Sequence, residues 1–144
     1  MIIIAPYAQK LRTGKLNPKN YPYWKELIAM IDEPIIQVGV EGEEQLVNDF
    51  RKNLSMNELC ELLKECRTWI SCDSFLQHLG WDQGKKGIVL WGPSDPLIFG
   101  HPENINLLKD RSYLVKNQFL WWEATEHQNE RFVEPHIVLE YLKE

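Results

Sequence analysis

Short apolar runs rich in β-branched residues, separated by stretches with helical spacing, constrain the fold of this chain more than any other feature. Ile2-Ile3-Ile4 stops at Pro6, Pro34-Ile35-Ile36-Gln37-Val38 ends on Gly39, Trp69-Ile70-Ser71-Cys72 runs into Asp73, and Gly87-Ile88-Val89-Leu90-Trp91 ends at Gly92-Pro93. Runs without polar alternation belong to strands buried on both faces, as in a parallel sheet. Between the first two, Trp24, Leu27, Ile28 and Ile31 recur at helical spacing, with Pro22 suited to a first turn and Pro34 just beyond the end.

Leu46, Val47 and Phe50 predict a second helix over residues 43–53. Ser55-Met56-Asn57-Glu58 has the form of a capping box and opens a Leu-rich helix through Cys66. Asp73 and Ser74 are placed to cap a further helix that reaches about Leu79. Strands alternating with helices in units of about 30 residues imply right-handed crossovers and helices on both faces of one sheet. The expected fold is therefore α/β: a single Rossmann-like domain spanning residues 1–144. Residues 104–129 show no clear pattern, and residues 133–143 read as a closing helix, so 104–144 is expected to be a less regular tail.

Composition narrows the partners. With 144 residues the chain accommodates one core of ordinary size, and 44% hydrophobic with 26% charged residues is a globular balance. A formal net charge of -5 argues against nonspecific nucleic-acid binding, which needs a basic face, but allows a small anion held by one or two cations. No apolar run approaches the ~20 residues of a membrane span, and Met1-Ile2-Ile3-Ile4-Ala5 is too short for a secretory signal. Cys60, Cys66 and Cys72 cannot all pair with one another and lack metal-ligand spacing, so reduced thiols in a cytoplasmic protein, with no metal and no cofactor, are expected.

In a parallel sheet ligands bind at the carboxyl ends of the strands. The first such end opens a long loop with Lys10, Arg12, Lys15 and Lys19, beside Tyr21, Tyr23 and Trp24. Cations there suit a phosphate, although a solvated basic loop is an equal alternative. The second end, Val38-Gly39-Val40-Glu41-Gly42-Glu43-Glu44, combines a turn glycine with carboxylates that either complement a helix dipole or accept ribose hydroxyls. No G-x-G-x-x-G follows a strand, which disfavours a dinucleotide enzyme. The third end, Asp73-Ser74 with His78 downstream, leaves helix-start N–H groups free for an anion, and a lone helical histidine is more often structural. At the fourth, Gly92-Pro93-Ser94 forms a rigid turn whose glycine permits close backbone approach.

In order and spacing these elements resemble glycosyltransferase family nine, the ADP-heptose:lipopolysaccharide heptosyltransferase type. Lys19-Asn20-Tyr21-Pro22, Val38 to Glu44, Ser55-Met56-Asn57-Glu58-Leu59, Asp73-Ser74-Phe75-Leu76-Gln77-His78 and Trp91-Gly92-Pro93-Ser94 match successive motifs of that family's C-terminal, donor-binding half, over residues 1 to about 100. Phe132-Val133-Glu134-Pro135 resembles the start of its closing helix.

The resemblance implies the C-terminal half of a GT-B glycosyltransferase that binds the diphosphate of an ADP-linked sugar. It implies Lys19, Asp73, Ser74 and His78 at the phosphates and Glu41 or Glu44 near the ribose, with Gly39 and Gly92 on the same edge. Phe75 departs from the family's glycine, whose bare backbone admits a phosphate. The family's acceptor site and acidic general base belong to an N-terminal domain without counterpart here. Three readings stay open: an enzyme half completed by a homodimer or by a separate N-terminal-domain partner, a nucleotide-binding module without chemistry, and a remnant with a degenerate pocket, the last favoured by Phe75 and by Phe119, Trp121 and Trp122.

Overall fold

The computed structural model describes residues 1–119 and 122–143; Trp121 lies outside the described residues. Six strands form one parallel sheet: β1 (Ile2–Ala5), β2 (Ile35–Gly39), β3 (Phe50–Lys52), β4 (Thr68–Cys72), β5 (Ile88–Trp91) and β6 (Ile105–Leu108). Their spatial order, β3-β2-β1-β4-β5-β6, reverses direction between β1 and β4, and this reversal opens a crevice at the carboxyl edge. Among the described residues five α-helices connect or close the sheet: α1 (Trp24–Met30), α2 (Met56–Glu65), α3 (Phe75–Asp82), α4 (Pro96–Phe99) and α5 (Pro135–Leu142).

Alternate strand residues feed two cores. Ile2, Ile4, Ile70, Ile88 and Leu90 pack with Trp24 and Leu27 of α1 and Val138 and Leu142 of α5 on one face. Ile3, Trp69, Val89 and Trp91 pack with Leu62 and Leu63 of α2 and Leu76 and Leu79 of α3 on the other. Helices therefore cover both faces, as the continuous apolar runs require. No helix among the described residues is long and apolar enough to cross a membrane, and all three cysteines are free.

The capping box forms as expected: Ser55 Oγ accepts from Glu58 N–H, and the Glu58 carboxylate accepts from Ser55 N–H. Ser74 does hold the N-cap position of α3, but its hydroxyl makes no capping hydrogen bond.

The largest departure from expectation is residues 43–53, which form no helix. Gln37, fully buried on β2, accepts the Leu46 N–H on its Oε1 and donates its Nε2 to the Glu44 carbonyl, holding the segment in an irregular turn. Leu46 and Val47 still reach the α1–α5 core, and Phe50–Lys52 adds an edge strand through Gln37↔Phe50 and Gly39↔Lys52. Apolar spacing that suited a helix is satisfied by a buried turn and a short strand.

The second departure is β6, which lies within the stretch expected to be irregular. It pairs in parallel with β5 from Ile88↔Ile105 to Trp91↔Leu108. Ile105, Leu107 and Leu108 all pack on the two cores, but Asn106 interrupts them, so this four-residue edge strand shows no continuous apolar run like the inner ones.

Candidate functional site at the carboxyl edge

A cleft of about 980 Å³ opens where the loops after β1, β2, β3 and β4 meet. Its first wall is the long loop after β1, which has no regular secondary structure and is ordered by asparagines. Asn20 Oδ1 accepts the Ala8 N–H at 2.8 Å, Asn17 Nδ2 donates to the Gln9 carbonyl at 2.8 Å, and Asn17 Oδ1 accepts the Lys19 N–H at 3.0 Å. His127 Nε2 lies 2.8 Å from the Asn20 carbonyl and ties the loop to the C-terminal segment. Buried amides thus do for this loop what a helix ladder does elsewhere.

The loop delivers Lys19 to the centre of the cleft. Its ammonium lies 3.1 Å from Asp73 Oδ2, 4.5 Å from the centre of the Trp122 ring and 5.8 Å from that of Phe99. Asp73 follows β4 and is held from behind by Gln77 of α3, whose Nε2 donates to Asp73 Oδ1 at 2.7 Å. Lys19 and Asp73 are only 17% and 9% exposed, so their attraction is weakly screened. A carboxylate repels a phosphate. What Asp73 does in this geometry is fix the Lys19 ammonium within the cleft.

Gly39 and Glu43 form a second feature of the wall. Glu43 folds back so that its Oε1 accepts the Val40 N–H at 2.9 Å, and a β-carbon on Gly39 would collide with the same carboxylate. Burial pushes the Glu43 carboxyl up, against the Val40 N–H and the charge of Lys10. Tyr7, which also lines the cleft, is pushed up to about 12, chiefly by burial and then by Glu44 and Glu43. Glu41 lines the cleft at its exposed rim, 3.5 Å from Lys52. Asn53, at φ 55°, turns the chain after β3 and accepts the Glu41 N–H on its side chain at 3.4 Å.

Of the residues singled out in the sequence as binding candidates, Lys10, Arg12, Lys19, Gly39, Glu41, Asp73 and Ser74 share this cleft, and Lys15 does not line it. Glu44 is not part of the cleft wall; it is exposed, pairs with Lys25 at 3.3 Å and interacts with Tyr7, which does line the cleft. His78 Nδ1 lies 2.8 Å from His101 Nε2, and His101 stacks on Trp81, so the imidazole is engaged outside the cleft wall. The space that a side chain on Gly92 would need is filled by the Phe132 ring, which accounts for that glycine without a ligand. Phe75 lines the cleft and is 55% exposed at the first turn of α3.

Tyr7, Asn53 and Glu123 also line the cleft and escaped sequence reasoning; Glu43 and Trp122 line it too, the first noted only as one of the strand-end carboxylates and the second only as tail bulk that favours a degenerate pocket. The trace that Glu43 left is a carboxylate four residues after the strand-end glycine, with Gly42 (φ 92°) between them to permit the turn. Among the described residues no group of three or more His, Cys, Asp or Glu is placed to hold a metal ion.

Comparison with known proteins agrees with this architecture. The chain is 28% identical over 115 residues to lipopolysaccharide heptosyltransferase 1 of Salmonella typhimurium, covering 69% of this chain and 36% of that protein. Two solved structures share its fold. E. coli ADP-heptose LPS heptosyltransferase II superposes with a TM-score of 0.69 at 20% identity, over 99% of this chain and 45% of that one. E. coli heptosyltransferase WaaC, solved with ADP, gives 0.67 at 15% identity, over 99% and 43%. The chain therefore spans less than half the length of these relatives. Residues 1–132 match the glycosyltransferase family 9 (heptosyltransferase) pattern, and the chain belongs to that family.

Proposed function

We propose that the cleft binds the nucleotide diphosphate of a sugar donor, with an ADP-linked sugar favoured. The observation that carries this reading is the Lys19–Asp73 pair: a largely buried ammonium, fixed by a carboxylate, at the point where strand order reverses. Lys19 takes the phosphates, with the free N–H groups at the start of α3 beside Ser74 adding donors. The apolar walls Val38, Val40, Leu54 and Leu59 suit a base, and Glu41 lies at the end of β2, where a carboxylate reaches a ribose. The ADP-bound relative named above supports the choice of nucleotide.

Sugar transfer needs more than this cleft. An acceptor must be held in line and a base must receive its proton. Neither role is assigned among the cleft residues, so transfer is expected to depend on a further domain, a separate partner or a homodimer that supplies the acceptor wall. A second reading is binding without chemistry, whereas Phe75, a side chain in place of the family's glycine at the helix start, favours a weakened diphosphate contact and a degenerate pocket.

Calorimetric titration with ADP, UDP, GDP and ADP-linked sugars tests the first reading. Tighter binding of ADP than of the other diphosphates is expected, and absence of binding by all of them sinks it. Transfer to a panel of acceptors, measured across protein dilution, separates the second: activity that rises with concentration points to assembly, and none at any concentration to a binding module.

A further inference from the structure

We infer that Trp122 and Glu123 form the sugar-recognition end of the cleft. This rests on the nucleotide reading above. Strand order arranges the cleft as a line. Val40, Asn53 and Leu54 follow β2 and β3 on one side, and Lys19 and Asp73 follow β1 and β4 in the middle. The Lys19 ammonium also meets two aromatic rings, Trp122 at 4.5 Å and Phe99 at 5.8 Å, the latter on α4, which follows β5. Trp122 also contributes to the cleft wall, as does the neighbouring Glu123. With the base at the β2–β3 end and the phosphates on Lys19, whatever is esterified to the outer phosphate lies beside this indole and this carboxylate.

The chemistry of the pair suits a hexose or heptose. A pyranose ring has apolar C–H faces that pack on an aromatic surface, and a rim of hydroxyls that donate strong hydrogen bonds to a carboxylate. An indole next to a cation also keeps water from the ammonium and strengthens its hold on a phosphate. Trp122 would thus touch both parts of the ligand, while its effect on the phosphate is the smaller because Asp73 already fixes Lys19.

The experiment compares Kd for ADP, ADP-linked heptose and ADP-glucose across the unaltered chain, Trp122→Leu, Trp122→Phe and Glu123→Gln, with circular dichroism confirming that each variant is folded. The unaltered chain should bind at least one of the two sugar nucleotides about fivefold or more tighter than ADP. Trp122→Leu and Glu123→Gln should each lower affinity for that sugar nucleotide by about tenfold and change ADP affinity less than about threefold. Trp122→Phe, which keeps a ring face, should retain most of the preference. Equal losses for ADP and the sugar nucleotide would overturn the assignment and make Trp122 a residue that only positions Lys19. An unaltered chain that binds ADP but prefers neither sugar nucleotide would overturn it while leaving the nucleotide reading intact. A chain that binds no ADP overturns both.

Discussion

Lys19 and Asp73 come from segments 54 residues apart in the chain and meet at 3.1 Å, the ammonium against Asp73 Oδ2, with Gln77 donating to the other carboxylate oxygen. The pair joins the loop after β1 to the start of α3 across the point where strand order reverses. It fixes a cation in the cleft whose charge faces little competition from water.

Replacement of Lys19 by Ala should therefore weaken binding of a nucleoside diphosphate far more than of the nucleoside, by ~1.5–3 kcal/mol for a charge-assisted hydrogen bond. Titration calorimetry with adenosine and ADP measures both. Similar losses for the two ligands would show that Lys19 does not meet the phosphate.

Gly92 gives the opposite expectation. A β-carbon there would run into the Phe132 ring, and overpacking of this kind costs about 1–3 kcal/mol. Gly92→Ala should lower the melting temperature and leave ADP affinity unchanged in the folded fraction. A loss of affinity without a loss of stability would return Gly92 to the binding site.

His78 should make stability pH-dependent near neutrality. Burial holds its pKa below the ordinary 6.5, with His101 adding to the effect and Asp73 opposing it. The fold thus favours the neutral ring, so this contribution is complete above 6.5 and is lost as pH falls through 6.5 toward the lower folded value. Thermal melts between about pH 8 and pH 5 should show the decline, and His78→Gln should flatten it. An unchanged slope in that variant would rule out His78 as its source.

Asp95 acts in a lower window. Arg111 grips both its carboxylate oxygens, at 3.1 and 2.8 Å, and this, with the Leu97 N–H, holds its pKa below the ordinary 3.8. A carboxylate depressed in the fold contributes fully above its unfolded pKa, and the contribution disappears as pH falls through the folded one. Arg111→Ala should move acid unfolding to higher pH, visible as an earlier loss of far-ultraviolet dichroism on titration. Coincident acid transitions in the two proteins would refute this.

What the sequence determined by itself is what short-range physics controls. The inner strands announce themselves as apolar runs because both of their faces are buried, and the Ser55–Glu58 box is legible because all its partners lie within three residues. The motif order likewise led to the family that residues 1–132 match. Tertiary structure decided the rest. Residues 43–53 have helical spacing, yet the buried Gln37 amide pairs with their backbone and turns them into a loop and an edge strand. Edge strand β6 was hidden because it is four residues long and Asn106 interrupts its apolar residues. Lys19, Gly39, Glu41, Asp73 and Ser74 share the cleft, whereas His78 turns to His101 and Gly92 makes room for Phe132. Trp122 and Glu123 reach the cleft from a segment with no motif at all. Spacing along a chain records which residues share a face of one element. What each side chain meets depends on partners tens of residues away, and those contacts exist only once the sheet has brought the loops to a common edge.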